Sequence, residues 1–172
     1  MTYQIVKQDM FTAPIDTWLN HACNTRGIWG GGIAFFMKEK YPKSFELYNK
    51  HCKLFSDDDL IGSAQLIDTT ELKNIPGKPR KIINLFTSKA FGMYKDFPDE
   101  IVENTRSALD YLWPLLQMAE PNSKEINIWS NKFNSGLFDV PWEDTEKVLL
   151  EALEIAEKKY KLNINWTVCN WN

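Results

Sequence analysis

The 172-residue chain has little of the residues that build metal centres and disulfide frameworks, with two histidines and three cysteines. Cys23, Cys52 and Cys169 are far apart and odd in number, which predicts free thiols rather than disulfides. No pair of cysteines has the spacing of metal ligands. We therefore expect neither a metal nor a cofactor.

The chain also lacks a long apolar run and a strong charge of one sign. No uncharged stretch is long enough to cross a bilayer, and residues 1–9 lack the apolar segment of a signal peptide. The balance of 20 basic and 23 acidic residues gives a net charge of -3, which argues against coating of nucleic acid or of an anionic membrane. We expect a cytoplasmic monomer with no membrane partner and no extended nucleic-acid surface. A small nucleotide is still an acceptable ligand.

Hydrophobic periodicity predicts strands that alternate with helices. The length predicts a single domain over residues 1–172. Alternation of this kind predicts an α/β domain with a mostly parallel sheet. Residues 73–80 are typical of a hairpin loop, and Pro114 should kink or end its helix. The predicted strands are 3–7, 17–22, 60–67, 81–87, 125–130 and 163–169, and the predicted helices are 32–40, 44–54, 100–118 and 143–159.

The most informative stretch is residues 21–34, where glycines Gly27, Gly30, Gly31 and Gly32 fall within six positions. Each would cost about 0.5–1 kcal/mol inside a helix or strand relative to alanine, so the backbone geometry must offset that cost. A glycine-rich turn from a strand into a helix directs N–H groups and the helix dipole at one point, which suits a phosphate group. This stretch therefore predicts a phosphate-binding loop.

Polar segments follow three of the predicted strands, at residues 8–10, 21–32 and 134–139. Ligands of parallel α/β sheets bind outside the carboxyl ends of the strands. The second and third segments carry glycines and each leads into a predicted helix. We expect these two loops to hold a diphosphate from both sides.

Four stretches together resemble the macro domain family, and in particular its fungal ADP-ribose 1″-phosphate phosphatase branch. They are Val-Lys-Gln-Asp (6–9), His-Ala-Cys-Asn-Thr-Arg-Gly-Ile-Trp-Gly-Gly-Gly-Ile-Ala (21–34), Leu-Phe-Thr-Ser (85–88) and Asn-Ser-Gly-Leu-Phe-Asp-Val-Pro-Trp-Glu-Asp-Thr-Glu (134–146). The resemblance spans nearly the whole chain. It implies a three-layer α/β/α fold with a mixed, mostly parallel sheet, and hydrolysis of ADP-ribose 1″-phosphate to ADP-ribose and phosphate.

The resemblance also implies roles for individual residues. Asp9 would accept a hydrogen bond from the adenine amino group beside the Met10 backbone, and Asn24 would face the distal ribose. Further ligand-binding positions are Gly30, Gly31, Gly32 and Ile33 in a first loop, Ser135, Gly136, Leu137 and Phe138 in a second, and Thr87 and Ser88 at a strand end.

Two residues are candidates for catalysis. His21 matches the histidine that the phosphatase branch needs, and an imidazole moves protons at neutral pH. Alone, it would more simply be a hydrogen-bonded histidine at a strand end. Asp139 is either a group that orients water or a negative charge that complements the dipole of the following helix.

Two other functions are compatible with the same loops. A macro domain could bind ADP-ribose without chemistry, or remove ADP-ribose from a modified macromolecule. Hydrolases of the second kind resemble this chain less, because Ala34 and Phe35 stand where the commonest type has an aspartate. A further type uses a lysine where this chain has Ser88.

Overall fold

A computed structural model describes residues 1–171. Its six-stranded sheet has the order β1-β6-β5-β2-β4-β3, in which only β3 and β4 pair antiparallel. The strands are β1 (Thr2–Val6), β2 (Trp18–Asn24), β3 (Ala64–Asp68), β4 (Lys81–Ser88), β5 (Ile126–Ser130) and β6 (Ile164–Cys169). The five parallel strands therefore end at one common edge, with β2 and β5 in the middle of the row.

Helices cover both faces of the sheet, and each face has its own hydrophobic core. One core joins the sheet to α4 and α5, and the other joins it to α1, α2 and α3. The helices are α1 (Gly32–Lys40), α2 (Pro42–Leu54), α3 (Asp57–Leu60), α4 (Pro98–Ala119) and α5 (Trp142–Tyr160), with short 3-10 turns at Met10–Thr12 and Gly92–Tyr94. The predicted three-layer α/β/α fold is confirmed.

The local sequence explains the best-defined elements. In β4, every residue from Ile82 to Ser88 is buried, as a strand covered on both faces requires. Helix α5 has acidic residues in its first turn and lysines in its last, which complements the helix dipole at both ends. The segment between β3 and β4 joins antiparallel neighbours, so the predicted hairpin loop is confirmed.

Two elements differ from the prediction. Helix α4 does not end at Pro114 but continues to Ala119, because Leu112, Trp113 and Leu116 are fully buried on either side of the proline. Packing of these side chains outweighs the hydrogen bond that proline removes. Leu60, predicted as the first residue of a strand, instead ends helix α3, since Ser56 caps the N-terminus of that helix through a hydrogen bond from the Asp59 amide. Within residues 1–171, no helix is long and apolar enough to cross a membrane.

Candidate ligand-binding site

A cavity of about 530 Å³ opens at the carboxyl ends of the central strands. Its volume is in the range of small-molecule sites. Three segments surround it: the first loop after β2 (residues 25–31), the loop after β4 (residues 89–97) and the second loop (residues 131–141). The lining residues are Ala22, Cys23, Asn24, Ile28, Trp29, Gly30, Gly31, Gly32, Ile33, Ala34, Phe91, Gly92, Asn131, Phe133, Asn134, Gly136, Leu137 and Phe138.

The first loop is held in shape by the side chain of Asn24, the last residue of β2. Its Oδ1 accepts from the backbone amides of Arg26 at 3.0 Å and Ile28 at 3.4 Å, and its Nδ2 donates to the Ile28 carbonyl at 2.7 Å. The buried Tyr48 of α2 donates its hydroxyl to the Asn24 carbonyl at 2.7 Å. Asn24 is therefore largely used for building the loop.

Gly30 and Gly31 at the end of this loop, and Gly32 at the start of α1, place the first turn of that helix against the cavity. Gly32 has a φ of +58°, a left-handed conformation that favours glycine over residues with a side chain. The first N–H groups of a helix have no carbonyl partner inside that helix, and those of α1 belong to residues that line the cavity. This arrangement suits an anionic group, as the sequence predicts.

The two glycine-bearing loops approach each other across the cavity. A Cβ built on Gly31 would lie 2.8 Å from Cδ1 of Leu137, whereas one built on Gly136 would meet nothing within 4 Å. Gly31 itself is extended, with a φ of -155°, so its backbone does not require glycine. What requires a small residue here is the narrow gap to the second loop.

The second loop is anchored by Asn134, whose φ of +67° is left-handed. Its Oδ1 accepts from the Thr87 hydroxyl at 2.8 Å, and its Nδ2 donates to the hydroxyls of Thr105 at 2.8 Å and Thr145 at 3.4 Å. These bonds join the loop to β4, α4 and α5. Since Asn134 is only 4% exposed, its amide is committed to the fold.

Asp139 lies near the end of the same loop, and its carboxylate contacts a lysine rather than the cavity. Its carboxylate lies 3.0 Å from Nζ of Lys95, in the loop that also carries Phe91 and Gly92. Asp139 has a φ of +57° and is exposed, and it is not among the residues that line the cavity. The ion pair joins two of the three segments around the cavity.

His21 lies beneath the cavity rather than on its surface. It is completely buried on β2, and its Nε2 is 2.7 Å from Oδ1 of Asn84 on β4. Its ring meets the Trp29 ring edge-on, with centroids 4.8 Å apart. Burial lowers the pKa of His21 to about 4, a shift that the hydrogen bond to Asn84 only partly opposes. The ring is therefore neutral at pH 7.

Cys23 lines the cavity and contacts His21. Its Sγ lies 3.3 Å from Nε2 of His21 and 3.4 Å from Oδ1 of Asn84. Burial raises the pKa of the thiol well above its usual range, so Cys23 is a protonated, weakly nucleophilic wall residue. All three cysteines are free, as predicted.

The structure brings only some of the predicted site residues to the cavity. Asn24, Gly30, Gly31, Gly32, Ile33, Gly136, Leu137 and Phe138 line it. Asp9, Met10, His21, Thr87, Ser88, Ser135 and Asp139 are not among the lining residues. Of these, Asp9 caps the turn Met10–Thr12 by accepting from the Phe11 amide at 2.9 Å. Ser88 accepts from the Asp96 amide and donates to the Ala90 carbonyl, which shapes the loop after β4.

Several lining residues were not predicted, above all Phe91, Gly92 and Asn131. Phe91 and Gly92 follow β4, and Asn131 follows β5. The rule that ligands bind beyond the carboxyl ends of parallel strands could have identified both positions, had it been applied to every strand.

Central strands that end at a glycine-bounded cavity, with helices packed on both faces of the sheet, define a three-layer α/β/α domain with a candidate ligand site at its strand ends. Sequence comparison then identifies the family: the macro domain family model matches residues 20–149, and the chain belongs to the macro domain family. The match begins within β2 and ends within α5, so it includes both glycine-bearing loops.

Relatives that carry a functional name align with most of the chain. An ADP-ribose 1″-phosphate phosphatase from Chaetomium globosum is 39% identical over 153 residues, covering 87% of this chain and 82% of its own length. One of the same name from Meyerozyma guilliermondii is 37% identical, covering 93% and 94%.

Solved structures support the same fold. The macrodomain of Thermus aquaticus DarG superimposes with a TM-score of 0.73 at 23% identity and covers 98% of both chains. Thermosipho africanus DarTG in complex with ADP-ribose superimposes with a TM-score of 0.69 at 16% identity, covering 95% of this chain and 40% of that one.

Proposed function

We propose that this protein hydrolyses ADP-ribose 1″-phosphate to ADP-ribose and inorganic phosphate. Water adds to phosphorus, the bond from phosphorus to the 1″-oxygen breaks, and that oxygen takes up a proton from the attacking water. The observation that carries the proposal is the close approach of the two glycine-bearing loops at Gly31 and Leu137, between which a diphosphate would lie. The relatives named ADP-ribose 1″-phosphate phosphatase align with most of this chain, and the proposed reaction is the one in their name.

The order of strands suggests how the ligand lies. From β1 to β4 there are four strand spacings, or about 19 Å along the edge where the ligand would lie. Asp9 follows β1 and would bind the adenine, while the loops after β2 and β4 would surround the distal ribose and its 1″-phosphate. An elongated nucleotide with a diphosphate at its middle suits this edge.

Positioning would supply most of the catalysis. Backbone N–H groups at the start of α1 and in the second loop would fix the phosphates and stabilise the charge that develops during hydrolysis. Such dipoles are already oriented before the ligand binds, so little reorganisation is needed.

The direct catalytic role of His21 stays a prediction, and its burial supports an indirect one. The neutral ring fills the space between Asn84, Cys23 and Trp29, and Trp29 lines the cavity beside the first loop. We propose that His21 is a positioning residue, which sets the location of Trp29 and of the glycines that follow it.

Binding of ADP-ribose without turnover is a second candidate, because one observation favours it. No acidic, basic or imidazole side chain is among the residues that line the cavity within the described part of the chain. A site that only binds ADP-ribose needs no such group. In that case the two loops would bind ADP-ribose itself as the ligand.

One assay separates these functions. Purified protein is incubated with ADP-ribose 1″-phosphate, and separately with ADP-ribosylated protein or nucleic acid, while released phosphate and released ADP-ribose are measured. Phosphate release from the first substrate alone supports the proposal. Binding of ADP-ribose without turnover of either substrate would establish the binding module, and release of ADP-ribose from the modified protein or nucleic acid would establish the other hydrolase.

Substitution of His21 tests its contribution. We expect His21→Ala to lower the rate of phosphate release at least tenfold, about 1.4 kcal/mol in the barrier, because Trp29 loses its support. The matched control is His51→Ala, since His51 is the second of two histidines and lies outside the cavity lining. Equal rates in the two variants would remove His21 from the mechanism.

A further inference from the structure

One buried side chain on β4 holds two side chains of the neighbouring strand β2 at the base of the cavity. Asn84 is fully buried, and its Oδ1 lies 2.7 Å from Nε2 of His21 and accepts from Sγ of Cys23 at 3.4 Å. Cys23 lines the cavity, and the His21 ring packs against Trp29, which also lines it. A single amide oxygen therefore contacts both side chains on which this part of the wall depends.

The orientation of the Asn84 amide is set from the other side, by the edge strand β3. Nδ2 of Asn84 donates to Oε1 of Gln65 at 3.0 Å, and Gln65 is the residue opposite Asn84 in the antiparallel pair. A side-chain amide has its donor and its acceptor on separate branches. The bond to Gln65 therefore turns Oδ1 toward His21 and Cys23.

This orientation fixes the tautomer of His21. An amide oxygen can only accept, so the neutral ring must carry its hydrogen on Nε2. In the other tautomer the hydrogen would be on Nδ1, whose one hydrogen-bond contact within residues 1–171 is Sγ of Cys23, at a long 3.9 Å. A buried N–H group without an acceptor loses its hydration and gains nothing in return. The packing around His21 therefore stabilises the tautomer with hydrogen on Nε2.

The same bond directs the single N–H of the ring at a residue outside the cavity lining, since Asn84 is not among the lining residues. His21 can then influence the ligand through the position of its neighbours, namely Trp29 and Cys23. Displacement of a positioning group by about 1 Å can lower a rate by about a hundredfold. The side chain that sets the place of His21 and Cys23 therefore matters for turnover without touching the ligand.

We infer that Asn84 is a positioning residue for hydrolysis, whose amide oxygen fixes the His21 ring and the Cys23 thiol and, through them, the cavity wall beside the first loop. The inference rests on the proposed function, because it takes the reaction to be hydrolysis of ADP-ribose 1″-phosphate. It also gives the edge strand β3 a part in shaping the site, since Gln65 orients the Asn84 amide.

The kinetic experiment compares kcat and KM for ADP-ribose 1″-phosphate in the wild-type protein, Asn84→Leu and Asn84→Asp. Leucine keeps a branched side chain but offers no acceptor, so we expect kcat to fall about five- to tenfold. KM should change less than about twofold, because the hydrogen bonds of Asn84 reach neither Asp9 nor the second loop. Aspartate still presents an oxygen to Nε2, so kcat should return to within about threefold of the wild-type value.

A spectroscopic measurement tests the tautomer directly. The chain has two histidines, so NMR with isotope-labelled histidine gives two sets of ring signals, and His51→Ala identifies those of His21 by removing the other set. At pH 7 the wild-type signals of His21 should show a proton on Nε2 and none on Nδ1. Asn84→Asp should keep the proton on Nε2, whereas Asn84→Leu should move part of the population to the tautomer with hydrogen on Nδ1.

The matched control is Asn20→Leu, which should leave kcat and the tautomer of His21 unchanged. Asn20 is also a fully buried asparagine of the central sheet, but it adjoins His21 on β2, so strand alternation places its side chain on the opposite face. Its amide has no hydrogen-bond partner within residues 1–171.

The outcomes separate the inference from the proposed function. If folded Asn84→Leu keeps the wild-type kcat, if Asn20→Leu loses as much, or if wild-type His21 carries its proton on Nδ1, the inference is wrong and the proposed function stands. The wild-type tautomer still decides the question if Asn84→Leu does not fold. If the wild-type protein releases no phosphate, the proposed function fails, and the inference with it.

Discussion

Acidification will destabilise this protein through His21, and the magnitude follows from its burial. The pKa of His21 falls to about 4 in the folded protein, because desolvation penalises the charged ring, whereas an unperturbed histidine has a pKa of 6.5. At pH 5 the unfolded chain is almost fully protonated at this site, while about one tenth of the folded protein is. Unfolding then takes up a proton.

The sign and size of the effect are fixed by linkage. Below pH 6.5 the unfolded state binds more protons than the folded state, so the stability that the neutral His21 contributes is lost as the pH falls from 6.5 toward 4. Above pH 6.5 that contribution is fully present. Between pH 7 and pH 5 the loss from His21 is about 2 kcal/mol. With a urea dependence of about 2 kcal/mol per molar, the unfolding midpoint would move by about 1 M.

The measurement compares urea unfolding of the wild-type protein and His21→Gln at pH 7, 6 and 5. Glutamine can still donate to Asn84 but does not titrate, so its midpoint should fall less. Carboxylates such as Glu151, whose pKa is lowered by its hydrogen bond to Arg106, are present in both proteins and cancel in the difference. Parallel curves for the two proteins across this range would refute the buried, neutral His21.

Three further substitutions test the loops around the cavity. Gly31→Val should weaken ADP-ribose binding at least tenfold, about 1.4 kcal/mol, because the added side chain fills the narrow gap between the two loops. The melting temperature should change little, because a Cβ at this position meets only the flexible end of Leu137 within 4 Å. Normal affinity in calorimetry would contradict the loop assignment. Asp139→Asn and Lys95→Met should each lower stability by less than about 1 kcal/mol and raise the KM for ADP-ribose 1″-phosphate equally, because they break one exposed ion pair. Loss of turnover in Asp139→Asn alone would instead make Asp139 catalytic.

The fold could be predicted from the sequence wherever periodicity and chain punctuation agree. The buried run of β4 and the amphipathic pattern of α5 each identify their element without ambiguity. Of the two outcomes predicted for Pro114, a kink or an end of the helix, the end does not occur, because the proline rule describes only the local backbone, whereas the helix is held by the packing of buried side chains on both sides of Pro114.

The site was less predictable, because it depends on which face of a strand each residue occupies and on the order of strands. Side chains alternate along a strand, so His21 shares a face with Leu19 and Cys23, which belong to the core beneath α1 and α2. That alternation could have indicated burial of the histidine. The sequence does not give the strand order, and that order brings the residues after β4 and β5 to the cavity.

An unusual feature of this cavity is that dipoles rather than side-chain cations would meet the charge of the ligand. Three basic residues in the segments around it are paired with carboxylates, namely Arg26 with Asp57, Lys89 with Asp58 and Lys95 with Asp139, and Lys132 of the second loop is not among the residues that line the cavity. The whole chain is also weakly acidic. Affinity for a diphosphate must then come from N–H groups at the start of α1 and in the second loop, whose positions depend on Asn24 and Asn134. The side-chain amides of the two asparagines bond to the backbone and to threonines rather than to the ligand. Their contribution to binding is to hold the loops that carry the N–H donors.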